Sequence, residues 1–488
     1  MAKSSLFLCF ILLCGVHQEL SCASQNRAII AVPYLPQNIY PYATSPLSLS
    51  YAHLFFDPLV RWGADGKLEK RLLKGWQQIK PTVVRFYLKK NIYFHSGNLL
   101  TSDDVIWSYR QIKQKSKFKL FILEITKITR VDAYSFDIDS TLSVAELLDY
   151  LTNFFVVDKK FYQHLQKRKP PFPEISHITA LTPIISGTGP YKLKTFNANL
   201  ALNIIRNKNY WDVKAGSLDL QFLKIKSQRA RIYALFFGDV DMSYAVLKKQ
   251  IKSIQMEKNK KLVTIRSSRA LYLSLSAQHT SFLQEKLVRK IISLTINQKG
   301  MLTNIVQGFG EEKPLLTARS INKGNEYNVQ KAQKLLLQIK MPKQLTLLSF
   351  KNEKVDHSDV LQALKNMFKS IGINLLISQI SSEEEWLETM DKYDLTLSAW
   401  QTSLRDPKNI YKSLFLNSPL TPYLEPLYTE QKILNRSDFF NKLLQEQRII
   451  VLFSVDERWG VDKKYAFKNI FSINVIPYWQ DLRLKNKR

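Results

Sequence analysis

Between Ser186 and Trp211 the chain reads S-G-T-G-P-Y-K-L-K-T-F, then a polar turn, then A-L-N-I-I-R-N-K-N-Y-W. No other stretch limits the fold as much. Glycine reaches backbone angles that other residues avoid, so Gly187 and Gly189 point to a tight turn, and Pro190 fixes φ at its exit. Tyr191, Leu193 and Thr195 alternate with Lys192, Lys194 and Phe196, which is the period of a strand. Asn197–Asn199 supplies the loop of a hairpin, and Leu202, Ile204 and Ile205 supply its second strand. Tyr210 and Trp211 close the hairpin with large apolar surfaces and polar tips. Pattern alone describes an ordinary β-hairpin with a glycine turn.

At 488 residues the chain is long enough for two or three lobes with sizeable cores. Residues 1–23 have the form of a secretory signal peptide. Lys3 gives a basic start, Leu6–Val16 is an apolar run too short to span a bilayer, and Ser21-Cys22-Ala23 offers small residues for cleavage. Cleavage after Ala23 gives a soluble exported product. Cleavage before Cys22 would give a lipid anchor, but Glu19 stands where that pattern prefers an apolar residue. All three cysteines, Cys9, Cys14 and Cys22, lie in this leader, so no disulfide or thiol chemistry is expected in the remainder.

The formal net charge is +30, with basic clusters at Lys159–Lys169, Lys248–Lys261 and Lys485–Arg488. Such a charge suits either an anionic partner or a solvated lysine-rich surface. The charge is spread along the chain and no nucleic-acid module is visible, so the solvated surface is the expectation and nucleic acid is not an expected partner.

Arg27–Tyr34 is a short strand pattern, followed by a proline-held loop carrying Tyr34, Tyr40 and Tyr42, aromatics that can line a cleft, although half-buried loop packing is the commoner role. A helix is expected over Ser50–Val60 and strands over Val83–Leu88, Val131–Ile138 and Phe154–Val157. Thr101 or Ser102 can cap a helix at Val105–Gln111. Leu262–Ile265 and Ala270–Leu275 are two alternating runs separated by a first candidate crossing between lobes. Beyond them helices and strands alternate through Val360–Lys369, Ile373–Ile377, Glu383–Met390 and Asp394–Trp400, which argues for an α/β lobe. Phe439–Glu446 reads as a helix and Ile449–Val455 as a returning strand.

The order G-T-G-P-Y, hairpin, R-N-x-x-Y-W resembles the extracellular solute-binding proteins of peptide and nickel import systems, solute-binding family 5. Asp65-Gly66-Lys67-Leu68, Trp76, Phe86-Tyr87-Leu88-Lys89, Phe94-His95-Ser96-Gly97 and Leu100-Thr101-Ser102-Asp103-Asp104-Val105 match segments of that family in order. Ser96 stands where Asp is usual. Val288–Asn297 is similar to another family helix, with Asn297 and Gln298 replacing its Asp-Arg end. The resemblance implies a periplasmic binding protein-like α/β fold. Two α/β lobes are joined by two hinge crossings, and an extra subdomain is inserted in the first lobe. The divisions expected are 24–48, 184–263 and 463–488 for lobe I, 49–183 for the insert and 264–462 for lobe II, with crossings at Lys261–Ala270 and Glu457–Lys464.

Tyr393-Asp394-Leu395, Trp400 and Asp406-Pro407 match the family's ligand strand. The resemblance therefore assigns Trp400, Gln401, Thr402, Ser403 and Arg405 to the ligand, and Tyr272, in the run Ala270–Leu275, is a further candidate. Trp400 would form a pocket wall. Ser403 departs from the peptide binders, which place there the carboxylate that holds a ligand's α-amine.

No G-x-S-x-G, H-E-x-x-H, P-loop or G-x-G-x-x-G context appears, so no enzyme, cofactor or metal is expected. His95 lacks a second ligand at helical or turn spacing, and a turn histidine bonded to backbone is the simpler role. With the leader and the absent catalytic motifs, the resemblance implies a monomeric periplasmic receptor that hands a peptide or peptide-like solute to an ABC permease in the inner membrane. The alternatives are a basic protein binding nucleic acid or a membrane surface, and an exported hydrolase.

Overall fold

The computed structural model describes residues 26–36, 39, 41, 46–113, 124–166, 177–178, 185–213, 216, 218–267, 269–276, 281–307, 309–310, 326–350, 357–380, 383–401, 403–406 and 446–485. The leader, Thr402, the Phe439–Glu446 helix but for its last residue, Tyr40 and Tyr42 lie outside these residues.

Two α/β lobes are built on separate sheets. The first holds eight strands, in the spatial order 260–265, 457–462, 242–244, 27–32, 219–224, 201–206, 191–197 and 177–178. Its centre is parallel: Arg27–Val32 runs alongside both Asp219–Lys224 and Met242–Tyr244. Ala28, Ile30 and Ala31 are fully buried in its central strand, as a strand covered on both faces requires. The second lobe holds five strands, in the order 374–380, 344–350, 395–400, 270–275 and 449–454. Helices Lys286–Thr295 and Ser358–Ser370 bury Ile291, Ile292, Leu364 and Phe368 in its core. Gly372 follows the latter helix at φ +80°, the left-handed turn that ends helices well.

A four-stranded antiparallel sheet, in the order 73–80, 83–88, 135–140 and 125–132, is inserted in the first lobe and shares its core. The single strand expected at Val131–Ile138 is two strands of a hairpin here. Asp132 turns the chain by accepting from Tyr134 N at 2.7 Å, side-chain competition that the strand pattern did not reveal. Phe154–Val157, expected as a strand, contributes one bridge, from Phe155 to Pro58. The short strand His177–Ile178, within the stretch assigned to the insert, pairs instead in the first sheet.

Among the described residues the chain passes between the eight-stranded and five-stranded sheets twice, from Ile265 to Ala270 and from Ser454 to Glu457. The expected return at Glu457–Lys464 is thereby corrected, as is the assignment of residues up to 462 to the second lobe. Glu457–Asp462 is hydrogen-bonded along its length to Lys260–Ile265 and on its other side to Met242–Tyr244. Gly460 lets it approach Leu235, whose Cδ2 lies 2.6 Å from where a Cβ would stand.

The Ser186–Trp211 hairpin forms as expected, with Arg206 opposite Tyr191 and Ala201 opposite Asn197. The reason for its glycines differs from the one expected. Neither Gly187 nor Gly189 has positive φ. A Cβ at either would strike the Phe55 carbonyl at the end of helix Pro46–Phe55, and Gly189 N donates to that carbonyl at 2.9 Å. Close approach, not turn geometry, demands glycine there.

Candidate functional site

The matched motifs divide into scaffold and cleft. His95 belongs to the scaffold. Its Nε2 lies 2.9 Å from Gly189 O, and its backbone N donates to Gly187 O at 2.8 Å. A carbonyl only accepts, so Nε2 carries the proton. Burial pushes the imidazole pKa down to about 4, against the opposing pull of the Gly189 carbonyl. Beside it Asp158 accepts from Ser96 Oγ at 2.5 Å, Asn98 Nδ2 at 3.0 Å and Ser186 Oγ at 2.9 Å. The F-H-S-G turn and the S-G-T-G loop are therefore one structure.

Tyr210 and Trp211 are also anchors. Asp57, 2% exposed, accepts from Tyr210 Oη at 2.8 Å and Trp211 Nε1 at 2.9 Å. Arg71 donates to Tyr210 Oη at 2.7 Å and Asp212 Oδ2 at 2.9 Å, and lies over the Trp211 ring at 4.6 Å. Burial opposes the Arg71 charge, but Tyr210, Asp57 and Asp212 outweigh it and hold its pKa above the usual value.

The cleft begins where Leu395–Trp400 leaves the second sheet. Trp400, opposite Ala270, is buried at 7% exposure. The next residues bond across to the first lobe. Gln401 Nε2 donates to Asn474 O at 3.4 Å, and Ser403 Oγ accepts from Asn153 Nδ2 at 2.7 Å. Asn474 Nδ2 also reaches Ser403 O. Asp149 then accepts from Arg405 N at 2.9 Å and Asp406 N at 2.9 Å, together with Trp62 Nε1 at 2.8 Å. The Arg405 guanidinium donates to Gly66 O at 3.0 Å and lies 5.3 Å from the Trp62 ring centroid.

Asp149 owes its placement to the helix Val144–Leu151. Ser143 and Glu146 form a reciprocal capping box at its start, an S-x-x-E signal readable in the sequence. The helix buries Leu147 and Leu151 and holds Asp149 at 2% exposure.

Beside this contact lies a cavity of about 60 Å3. Tyr34, Tyr51, Phe222, Tyr244, Trp459 and Trp479 wall it, and Ser50, Gln401 and Glu457 are its polar lining. Val32 and Tyr244, two of its lining residues, are the C-terminal ends of parallel strands, where α/β sheets characteristically receive ligands. Val475 lines it at φ +64°, a strained backbone for a β-branched residue and a feature that clusters at functional sites.

Of the residues assigned from sequence, Gln401 alone among those described lines this cavity. Ser403 and Arg405 bridge to the first lobe, Trp400 ends the cleft strand, and Tyr272 is buried mid-sheet between Ser398 and Val451. Tyr34, on the proline-held loop, lines the cavity. Asp149, Tyr244, Glu457 and Trp459 were missed. Among the described residues no group of three or more His, Cys, Asp or Glu side chains is arranged to hold a metal, and no helix is long and apolar enough to cross a membrane.

The profile of the "Bacterial extracellular solute-binding proteins, family 5 Middle" matches residues 67–421. The chain belongs to this family. Among curated relatives of this solute-binding protein, nickel-binding protein NikA of Staphylococcus aureus is 24% identical over 389 residues, 76% of this chain and 74% of its own. The oligopeptide-binding protein AppA of Bacillus subtilis is 24% identical over 271 residues, 51% of this chain and 47% of its own. Helicobacter pylori DppA, solved with the peptide STSA, has a TM-score of 0.80 at 18% identity, covering 94% of this chain and 98% of that one. Staphylococcus aureus NikA with Ni(L-His)2 has a TM-score of 0.75 at 19% identity, covering 94% and 100%. The whole architecture is therefore shared, and family members are solute-binding proteins rather than enzymes.

Proposed function

We propose that this protein is the substrate-binding receptor of an ABC importer. It captures a peptide or peptide-like solute between its lobes in the periplasm and delivers it to a membrane permease. The observation that carries this reading is the cleft. The strand Leu395–Trp400 runs into a segment bonded across to the first lobe, beside an aromatic cavity at the ends of parallel strands. A cleft spanned by such bonds suits closure over a ligand.

Ser403 bears on the ligand. Its hydroxyl accepts from Asn153, a contact within the protein. This supports a receptor that does not take a ligand's α-amine at Ser403, in contrast to the carboxylate of the peptide binders it resembles. The solutes named for its relatives include peptides and a nickel–histidine complex, so both classes belong in the trial pool. The protein, purified without residues 1–23, is incubated with peptide pools and nickel–histidine, and what co-purifies is identified by mass spectrometry. Retention of a discrete set of small solutes is expected. Retention of none would defeat the reading.

A further inference from the structure

The cavity runs against the charge of the chain. The protein carries +30, yet Glu457 is the one ionisable acid among the cavity's described lining residues, and no Lys, Arg or His joins it. The walls are aromatic and continuous. Tyr51, Phe222, Trp479, Trp459 and Tyr244 form a chain of ring contacts with successive centroid distances of 5.5, 5.1, 5.9 and 4.5 Å. Aromatic faces carry negative electrostatic potential and attract cations that approach within about 6 Å.

Tyr244 fixes the carboxylate. Its hydroxyl is hydrogen-bonded to Glu457, and burial followed by that carboxylate pushes the phenol pKa well above its ordinary value, so it remains a donor. Two basic groups stand close by. Arg269, on the first crossing, acts electrostatically on Tyr244 and opposes that rise. Arg458 lies 5.0 Å from the Phe309 ring centroid and faces Asp456. Neither lines the cavity.

We propose that Glu457 and this aromatic wall form a subsite for an organic ammonium group, so that the transported solute enters the first lobe with a primary or quaternary ammonium foremost. The proposal rests on the receptor reading and narrows it to a class of solute. A peptide's α-amine and a quaternary ammonium present the same chemistry to a carboxylate ringed by aromatic faces. Glu457 also sits where the chain re-enters the first sheet, so an ammonium held there would contact the residue that follows the return crossing.

The test uses protein without residues 1–23, unfolded in guanidinium chloride and refolded to remove co-purified solute. Calorimetry compares choline with its uncharged carbon isostere dimethylbutanol, and alanyl-alanine with its N-acetyl form. In at least one pair the cation should bind about 30-fold or more tightly than its neutral partner, the range for a desolvated charge pair. Glu457→Gln should abolish that preference, and Glu457→Asp should keep most of it. Which pair shows the preference distinguishes the amine of a peptide from a quaternary ammonium. Equal binding of charged and neutral partners, or a preference that survives Glu457→Gln, overturns the proposal. Should Glu457→Gln fail to refold, the preference of the native protein decides alone. If neither pair binds while the peptide pool yields a retained solute lacking an ammonium, the subsite is refuted and the receptor reading stands. If the pool also yields nothing, both fall.

Discussion

Replacing Asp149 with alanine should unlatch the two lobes. The carboxylate accepts three described hydrogen bonds, from Arg405 N, Asp406 N and Trp62 Nε1, and only the first two join the lobes. A hydrogen bond to a charged group contributes about 1.5–3 kcal/mol net. When the lobes separate, both backbone N–H groups regain water. The variant therefore loses at least about 3 kcal/mol of closed-state stabilisation, roughly 150-fold in the ratio of closed to open forms. The Trp62 bond lies within the first lobe and affects both forms alike. Small-angle scattering of ligand-free protein is the assay, paired with calorimetry on a retained solute. If the native protein is closed without ligand, the variant expands. If it is open, the variant binds about 150-fold more weakly, because binding must supply the missing closure energy. Asp149→Asn, whose amide oxygen still accepts, should show a smaller effect. An unchanged radius together with unchanged affinity would refute the latch.

His95 provides a pH signature. Its imidazole pKa falls from an ordinary 6.5 to about 4 on folding, so the unfolded chain binds the extra proton between those values. Stability should then drop as pH falls through that window, by roughly 3 kcal/mol for this group, and be unaffected by it above the window. Urea titrations of native and His95→Gln protein should show a shallower pH slope in the variant; equal slopes would refute the assignment. Asp57→Ala leaves Tyr210, Trp211 and Arg71 without their buried acceptor and should cost about 3–5 kcal/mol, visible as a lower urea midpoint. Gly189→Ala drives a methyl into the Phe55 carbonyl and should destabilise by about 1–3 kcal/mol; a neutral result would show that the loop relaxes freely.

What the sequence disclosed and what it hid follow a common physical line. The hairpin and the alternating elements of the second lobe rest on local periodicity and turn chemistry, which a single stretch carries in full. His95 was correctly read as a backbone-bonded turn residue, although its partner Gly189 stands 94 positions away. The return crossing was misplaced because Ile449–Ser454 and Glu457–Asp462 are consecutive strands with only Val455 and Asp456 between them. Nothing in that run marks the change of sheet; pairing with Lys260–Ile265 decides it. Asp149 and Glu457 were invisible for the same reason. Asp149 meets Arg405 across 256 residues, and Glu457 gains meaning only when Tyr244 and Trp459 stand beside it. The capping box at Ser143 is the local sequence signal for the latch helix.

The most direct measurement is hydrogen exchange of the protein with and without its retained solute, resolved by peptide. Capture between the lobes should slow exchange in residues 395–406 and in the strands ending at Tyr244 and beginning at Glu457, while the outer strands 73–80 and 374–380 exchange unchanged. Slowing confined to one lobe, or no slowing near the cleft while solute stays bound, would contradict binding between the lobes.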